Sequence, residues 1–283
     1  MRVNLATAAV VFSAVVLSGC ATGGAGAAAR TRPASSVGGT IEATDLGLAA
    51  ALLAESIRPG VESHLQVARE YVRLGILDAA HTRTQRALKL EPRLPVAHEM
   101  MARIWRDWGM LGTALGHAHR ALYYDARSAG IHNTLGTILD GLGRTGEARS
   151  AFLKAVELDA TAGWALSNLC YLEFRAGHLD EAQRQCEAAI RVTPGLATAH
   201  NNLGLTHAAA GDLDRAREAF LSGGDEAAAH YNIGIVHLAA RRYTAAATAF
   251  GKAAEARPAF TAAKTRAHEA RMRALGAEDR RHP

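Results

Sequence analysis

The chain has 283 residues, with 32 lysines and arginines against 27 aspartates and glutamates, and a formal net charge of +5. So small a positive excess does not indicate a nucleic-acid-binding protein. The sequence has no phosphate-binding loop, no nucleophile-elbow motif and no HExxH metal motif. It therefore favours a protein that is not an enzyme and that needs no cofactor.

The N-terminus has the organisation of a bacterial export signal. Arg2 precedes an apolar run over residues 5–17, which is too short for a transmembrane helix of about 20 residues. The run ends in Leu-Ser-Gly-Cys at Cys20, which resembles the lipobox of bacterial lipoproteins. The resemblance implies a signal peptide over 1–19 and acylation of Cys20. Because Ala21 rather than Asp follows, it also implies attachment to the outer membrane, facing the periplasm. The alternatives are a buried free cysteine and an uncleaved anchor.

Two short segments separate this signal from the rest of the chain. Residues 20–44 consist mainly of Gly, Ala, Ser, Thr and Pro and show no apolar period. This composition predicts a flexible tether that spans about 27 Å root-mean-square. Residues 45–60 are predicted to form an N-terminal cap helix, which ends at Pro59 and Gly60.

From Val61 onward one pattern recurs every 34 residues. An apolar residue precedes a small one, and these small residues are Ala68, Ala102, Gly136, Cys170 and Gly204, with Gly234 following after 30 residues. Seven residues further on comes a glycine, at Gly75, Gly109, Gly143, Gly177 and Gly211, with Arg241 in its place in the last unit. The small residue allows close helix packing, and the glycine allows a tight turn between two helices. The pattern resembles the tetratricopeptide repeat family over residues 61–260.

This resemblance implies an all-α protein, a right-handed α-solenoid of about six helical hairpins with a cap helix at each end. The predicted units are 61–94, 95–128, 129–162, 163–196, 197–226 and 227–260. Residues 261–283 are predicted to form a C-terminal cap helix and tail. The fifth unit is four residues short around 222–225, which we expect to trim its second helix by about one turn. Either a changed superhelical pitch or a shortened surface loop would follow.

Histidine occupies the fourth position of five units, at His64, His98, His132, His200 and His230. Because successive hairpins stack about one helix pair apart, these side chains are too far apart to share a metal ion. The adjacent pair His117 and His119 points to different faces of a helix. Residues 141–146 match a dinucleotide-binding fingerprint, but a helix rather than a strand precedes them. We interpret this motif as turn glycines and expect no metal site.

Two further cysteines, Cys170 and Cys186, occupy positions 8 and 24 of the fourth unit. Both are expected to face the seam between the two helices of that hairpin. A disulfide requires Cα atoms within about 7 Å, and we expect these positions to lie about one turn out of direct opposition. Two buried thiols are therefore the prediction. The alternative is a disulfide formed in an oxidising envelope.

In the family that the repeats resemble, the first helix of each unit lines a concave surface that binds peptides. The predicted partner-binding residues are Arg69, Arg73, Arg103, Arg106, Asn133, Trp164, Asn168, Tyr171, Phe174, Asn201, Asn202, Tyr231 and Asn232. The arginines suit bidentate contacts to carboxylates, and the aromatic residues suit the role of anchors. Three of the asparagines occupy the sixth position, where peptide-clamping members have Asn. The alternative for Trp164, Phe174 and Tyr231 is packing as core between units.

These features together predict a lipid-anchored scaffold in a bacterial envelope. Its partner would be a protein or peptide; nucleic acid is not expected, and the membrane is reached through the lipid anchor only. The layout is similar to that of lipoproteins that support type IV pilus or tight-adherence secretin assembly, and to envelope scaffolds that gather peptidoglycan hydrolases. The alternative function is a structural or self-associating spacer with no peptide ligand. The sequence does not determine the oligomeric state.

Overall fold

The computed structural model describes residues 46–278, which fold into helices with no strand among them. The helices of this range are α1 (Leu46–Ile57), α2 (Val61–Arg73), α3 (Leu77–Leu90), α4 (Pro95–Asp107), α5 (Leu111–Tyr124), α6 (Ala129–Gly141), α7 (Thr145–Leu158), α8 (Gly163–Ala176), α9 (Leu179–Val192), α10 (Ala197–Ala210), α11 (Leu213–Gly223), α12 (Glu226–Ala239), α13 (Tyr243–Ala256) and α14 (Thr261–Glu278). They form two compact units, which divide between residues 158 and 159. The predicted signal peptide, the predicted lipidation site at Cys20 and the predicted tether lie outside the described residues.

The first unit consists of α1 and three helical hairpins, α2–α3, α4–α5 and α6–α7. Helix α1 covers the first hairpin, where Leu48 and Ala51 pack against Val67 of α2. The second unit consists of the hairpins α8–α9, α10–α11 and α12–α13, followed by α14, and a single apolar cluster extends through it. This is the all-α arrangement of repeated hairpins that the sequence predicts. Within residues 46–278, no helix is both long and apolar enough to cross a bilayer.

The turn inside each hairpin is made by a residue with positive φ, as the sequence predicts. Five of these residues are glycines, with φ between 73° at Gly75 and 91° at Gly211, and the sixth is Arg241 with φ of 57°. The left-handed residue lets the next backbone N–H reach back to a carbonyl five residues earlier, as in His178 N to Glu173 O at 2.9 Å. The same bond recurs in all six hairpins. The same left-handed residue and hydrogen bond therefore end the first helix of all six hairpins.

In three hairpins a glycine of the first helix faces a phenylalanine of the second helix. A Cβ atom built on Gly136, Gly204 or Gly234 would lie 2.5, 2.5 or 2.6 Å from the ring of Phe152, Phe220 or Phe250, respectively. These distances are too short for any side chain to occupy the glycine position without movement of the ring. In these three hairpins, position 8 is thus small because the phenylalanine at position 24 fills the seam.

The fourth hairpin corrects one prediction, because Cys170 and Cys186 form a disulfide instead of remaining two thiols. Their Cα atoms lie 5.2 Å apart, within the range that a disulfide spans. The two cysteines occupy the positions that hold glycine and phenylalanine in three other hairpins. These positions face each other directly, so the expected offset of one turn was wrong.

The shortened fifth unit has a shorter second helix, as predicted. Helix α11 has 11 residues, whereas the second helices of the other five hairpins have 14. Two residues, Gly224 and Asp225, then connect it to α12. The Asp225 carboxylate accepts a hydrogen bond from the Ala228 N–H at 2.8 Å and pairs with Arg257. Asp225 thus caps the N-terminus of α12. This cap stabilises a connection of two residues, where the other hairpins are joined by four.

Candidate functional site: the first-helix surfaces

The predicted binding residues lie on the first helices of the hairpins. We call the solvent-facing side of α2, α4 and α6 the first-helix surface of the first unit, and that of α8, α10 and α12 the first-helix surface of the second unit. In tetratricopeptide proteins such surfaces are concave and hold partners. Each unit is described separately below.

Most arginines on the first-helix surface of the first unit already have acidic partners. Arg69 pairs with Glu62 at 3.0 Å, and Arg73 pairs with Glu70 at 2.8 Å. Arg106 donates from Nε to Oδ1 of the adjacent Asp107 at 2.8 Å. The predicted basic character of this surface is therefore largely neutralised within the fold.

Arg103 differs from the other three arginines. Its side chain is half-buried on α4, and among residues 46–278 it has no ion pair or hydrogen-bond partner. Arg106, one turn further along, also donates to Thr137 Oγ1 of α6 at 3.1 Å and is thereby fixed in place. Arg103 is thus the guanidinium on this surface that remains available to a ligand.

The sixth position of the first helix bonds to the fifth position of the preceding first helix. In the first unit, Thr134 Oγ1 donates to Glu99 Oε1 at 3.0 Å. In the second unit, the Asn202 side chain donates to Ser167 O at 3.1 Å and to Ser167 Oγ at 3.2 Å. The equivalent bond of the last hairpin runs from Asn232 Nδ2 to Asn201 Oδ1 at 3.2 Å. Asn133 and Asn168 also have interaction partners in the structure. Asn201, Asn202 and Asn232 therefore help to hold adjacent hairpins together.

The aromatic residues predicted for the second unit divide into two pairs. Phe174 and Tyr231 are only 6% and 7% exposed and belong to the core cluster, where the Tyr231 ring lies 5.3 Å from that of Phe250. For these two the core alternative is correct. Trp164 at the start of α8 is 39% exposed, and Tyr171 is partly exposed. These two aromatic side chains remain accessible on the first-helix surface.

The histidines at the fourth position have a structural role that the sequence analysis missed. In three hairpins the Nε2–H donates to the backbone carbonyl six residues earlier. These bonds run from His98 to Pro92, from His132 to Ala126 and from His200 to Pro194, at 3.0, 3.0 and 2.8 Å. They fix the connection that enters each first helix. The recurrence of histidine at one repeat position was the available signal. Among residues 46–278, no group of histidine, cysteine and acidic side chains is placed to hold a metal ion.

His98 also contacts His117 of α5, with the two Nδ1 atoms 3.3 Å apart. Because Nε2 of His98 carries the proton that it donates to Pro92, its Nδ1 is an acceptor when the ring is neutral, and His117 is then the donor. Burial is the main cause that lowers the pKa of His117 to about 4, and the positive charges of Arg120, His98 and His81 act in the same direction. His117 is therefore neutral in the folded protein at pH 7.

The geometry above defines a class of protein: an array of two-helix hairpins with a left-handed turn and a small residue at the seam. Comparison with known families then identifies the repeat. Residues 169–223, 221–260 and 129–161 match models of the tetratricopeptide repeat. The chain therefore carries tetratricopeptide repeats, which serve other proteins as surfaces for protein–protein interaction. No curated protein matches the chain.

Solved structures share this fold at low sequence identity. The type IV pilus biogenesis factor PilW is 23% identical with a TM-score of 0.61, over 72% of this chain and 97% of PilW. PilF of Pseudomonas aeruginosa is 17% identical with a TM-score of 0.56, over 72% of this chain and 95% of PilF. The APC/C hetero-tetramer Cut9–Hcn1 is 17% identical with a TM-score of 0.66, over 79% of this chain, which spans 45% of the matched chain. At these identities the likeness concerns the fold alone.

Proposed function

We propose that this protein is a non-catalytic scaffold, lipid-anchored in a bacterial envelope, that holds a segment of a partner protein on its first-helix surfaces. The observation that carries the proposal is that Arg103 has no ion-pair or hydrogen-bond partner among residues 46–278 and that Trp164 keeps 39% of its surface exposed. The neighbouring arginines and asparagines are engaged within the protein. Groups left available on a surface of this class are the natural contacts for a ligand.

The two groups, one on each unit, suit different kinds of contact. A guanidinium such as that of Arg103 recognises a carboxylate or a backbone carbonyl through paired N–H donors. The indole of Trp164 offers a large apolar face and an N–H donor, a combination that is enriched among binding hot spots. A partner segment with an acidic residue would satisfy Arg103, and one with an apolar anchor would satisfy Trp164.

The location in the envelope is supported by two independent features. The N-terminal sequence ends in the lipobox-like Leu-Ser-Gly-Cys at Cys20. The Cys170–Cys186 disulfide is of a kind that persists in oxidising compartments such as the bacterial periplasm. Pilus or secretion-system assembly is the pathway we propose, on the fold shared with PilW and PilF together with this lipobox-like layout.

A crosslinking pull-down from native membranes tests the partner-binding surface. The variant Arg103→Glu/Trp164→Ala is compared with the wild type and with Arg86→Glu, which makes the same charge change at an exposed position on the second helix α3. Loss of specific proteins from the double variant alone supports the proposal and names the pathway. Identical protein lists from all three would place the binding site elsewhere.

The second candidate function is a structural spacer without a peptide ligand. The internal pairing of Arg69, Arg73 and Arg106 favours it, because these guanidinium groups already have acidic partners on their own helices and need no ligand. Light scattering of the purified protein distinguishes the two functions. A stable oligomer in which Trp164 is shielded from a soluble quencher supports the spacer, whereas a monomer with an accessible Trp164 supports the scaffold.

A further inference from the structure

The cap helix α1 has two apolar faces, and the fold uses only one of them. Leu48 and Ala51 are buried against the first hairpin. Leu46, Leu53 and Ile57 point the other way and are 82%, 62% and 75% exposed. Their spacing of seven and four residues places them along one side of the helix. We call these three residues the outer stripe of α1.

The outer side of α1 also lacks charge. Glu55 is the one ionisable residue among residues 46–57, and it is turned inward. Its carboxylate accepts a hydrogen bond from Arg83 Nη1 at 2.7 Å and contacts Nδ1 of His64. The remaining outward residues are Gly, Ala and Ser. A water-facing helix normally has polar or charged residues on its outer side, so this face is suited to an apolar environment.

The cap helix at the other end of the described chain provides the contrast. Helix α14 also has exposed apolar residues, Met272 and Leu275. They lie among charged groups, because Glu269 pairs with both Arg266 and Arg273, at 2.8 and 2.7 Å. A protein that needed only solvated ends would have similar residues at both. The absence of charge is specific to the cap that follows the lipobox-like sequence.

Once the signal peptide is removed, as the proposed function requires, the chain itself offers little to cover the outer stripe. Residues 21–44 contain two large aliphatic residues, Val37 and Ile41, and residues 279–283 are mostly charged. A second copy of the chain is also a poor match. Helix α1 is about 18 Å long, and its three large side chains present far less than the roughly 800 Å² that each partner contributes to a stable interface.

A membrane offers an apolar environment that is large enough to cover the whole outer stripe. It also lies within reach of α1. From Cys20 to Leu46 the chain has 26 residues, which span about 27 Å root-mean-square if flexible. We propose that α1 lies on the bilayer surface with Leu46, Leu53 and Ile57 in the boundary between headgroups and acyl chains. This inference rests on the lipid anchor of the proposed function. The anchor keeps α1 close to the bilayer, so the stripe needs only to orient the array and not to recruit it.

The test uses the full lipidated chain purified from membranes, with Ala50→Cys introduced on the outer side of α1 and labelled with the fluorophore NBD. The protein is reconstituted into vesicles of phosphatidylethanolamine and phosphatidylglycerol, with and without brominated acyl chains. We expect a blue-shifted emission that brominated lipid quenches strongly. Leu53→Gln/Ile57→Gln should abolish most of this quenching. The matched change Met272→Gln/Leu275→Gln on α14 should leave it unaltered.

Flotation of the vesicles separates this inference from the proposed anchor. If the protein floats with the vesicles but NBD remains water-exposed and unquenched, the anchor holds and the inference is overturned. If the protein does not float and NBD is unquenched, both fail. Quenching without stable flotation supports the stripe and rejects the anchor. An NBD shift that depends on protein density but not on brominated lipid would identify a second copy as the occupant and overturn the inference.

Discussion

Cys170 and Cys186 form their disulfide at the two positions where three other hairpins set a glycine against a phenylalanine. Both arrangements fill the same seam, one by a covalent bond between two small side chains and the other by a ring lying over bare backbone. The cysteines are fully buried, so a reductant cannot reach them in the folded hairpin. The fourth hairpin therefore uses an oxidised pair where the others use packing.

This equivalence predicts the behaviour of two double variants. Cys170→Ala/Cys186→Ala should lower the free energy of unfolding by about 3 kcal/mol, because the disulfide closes a loop with a sequence separation of 16. Cys170→Gly/Cys186→Phe should recover part of this loss, since the ring refills the seam. Guanidinium denaturation with and without reductant measures both effects. A Gly–Phe variant no more stable than the Ala–Ala variant would contradict the equivalence.

The Gly204–Phe220 contact predicts that even a methyl group at position 204 lowers the stability of the protein. Gly204→Ala should destabilise the second unit by about 1–3 kcal/mol, because its Cβ would lie 2.5 Å from the Phe220 ring. The matched control is Gly116→Ala inside α5, where no atom lies within 4 Å of the new Cβ. That variant should gain about 0.5–1 kcal/mol from helix propensity. Thermal unfolding followed by circular dichroism should show shifts of opposite sign.

The left-handed backbone at Arg241 is predicted to lower the stability of the protein. Arg241 has φ of 57°, where the other five hairpins have glycine. Because a left-handed backbone costs an L-residue about 1 kcal/mol or more, Arg241→Gly should stabilise the protein by about that amount. Gly211→Ala, at the same turn of the preceding hairpin, should change stability in the opposite direction. Chemical denaturation of both variants checks the signs, and an Arg241→Gly variant of unchanged or lower stability would contradict the assigned strain.

The His98–His117 pair predicts a loss of stability in acid. The pKa of His117 is lowered to about 4 in the folded protein, mainly by burial, against about 6.5 in an unfolded chain. Between these values the unfolded state binds more protons, so stability falls as the pH drops from about 6.5 towards 4. After discounting for partial exposure, the contribution of His117 is about 1 kcal/mol. Melting temperatures of wild type, His117→Gln and the exposed control His119→Gln, at pH 7 and pH 5, measure it. The dependence should weaken only in His117→Gln.

The contacts of Glu55 with His64 and Arg83 predict that this carboxylate holds α1 against the first hairpin. Glu55→Ala removes the acceptor shared by His64 and Arg83 and leaves Arg83 without its partner. We expect a loss of about 2–3 kcal/mol, concentrated in α1. Hydrogen–deuterium exchange should quicken in residues 46–57 and stay unchanged in the second unit. Uniform acceleration across the chain would instead indicate that α1 does not open on its own.

The backbone conformation of the turns could be predicted from the sequence, whereas most side-chain contacts could not. Gly75 and its equivalents were recognisable because a positive φ restricts the residue type, so the conformation leaves a mark at each recurrence. The seam disulfide was also encoded, since Gly136 and Phe152 occupy the positions of Cys170 and Cys186, but that signal emerges only when the units are aligned with one another. The bond from Asn202 to Ser167 was not predicted, because the recurrence of asparagine at the sixth position does not show that its partner lies 35 positions away on another helix.

The sequence by itself determined the period, the hairpins and their turns, because these are backbone requirements that every repeat must satisfy with a restricted set of residues. The tertiary structure alone decided which surface groups are available. The sequence predicts the same role for Arg103 and Arg106, which lie on the same helix. In the structure, Arg106 is held by Asp107 and Thr137, whereas Arg103 is not. Trp164 is accessible while Tyr231 is core. Availability depends on rotamers and on neighbours from the adjacent hairpin, and a repeat pattern does not specify either.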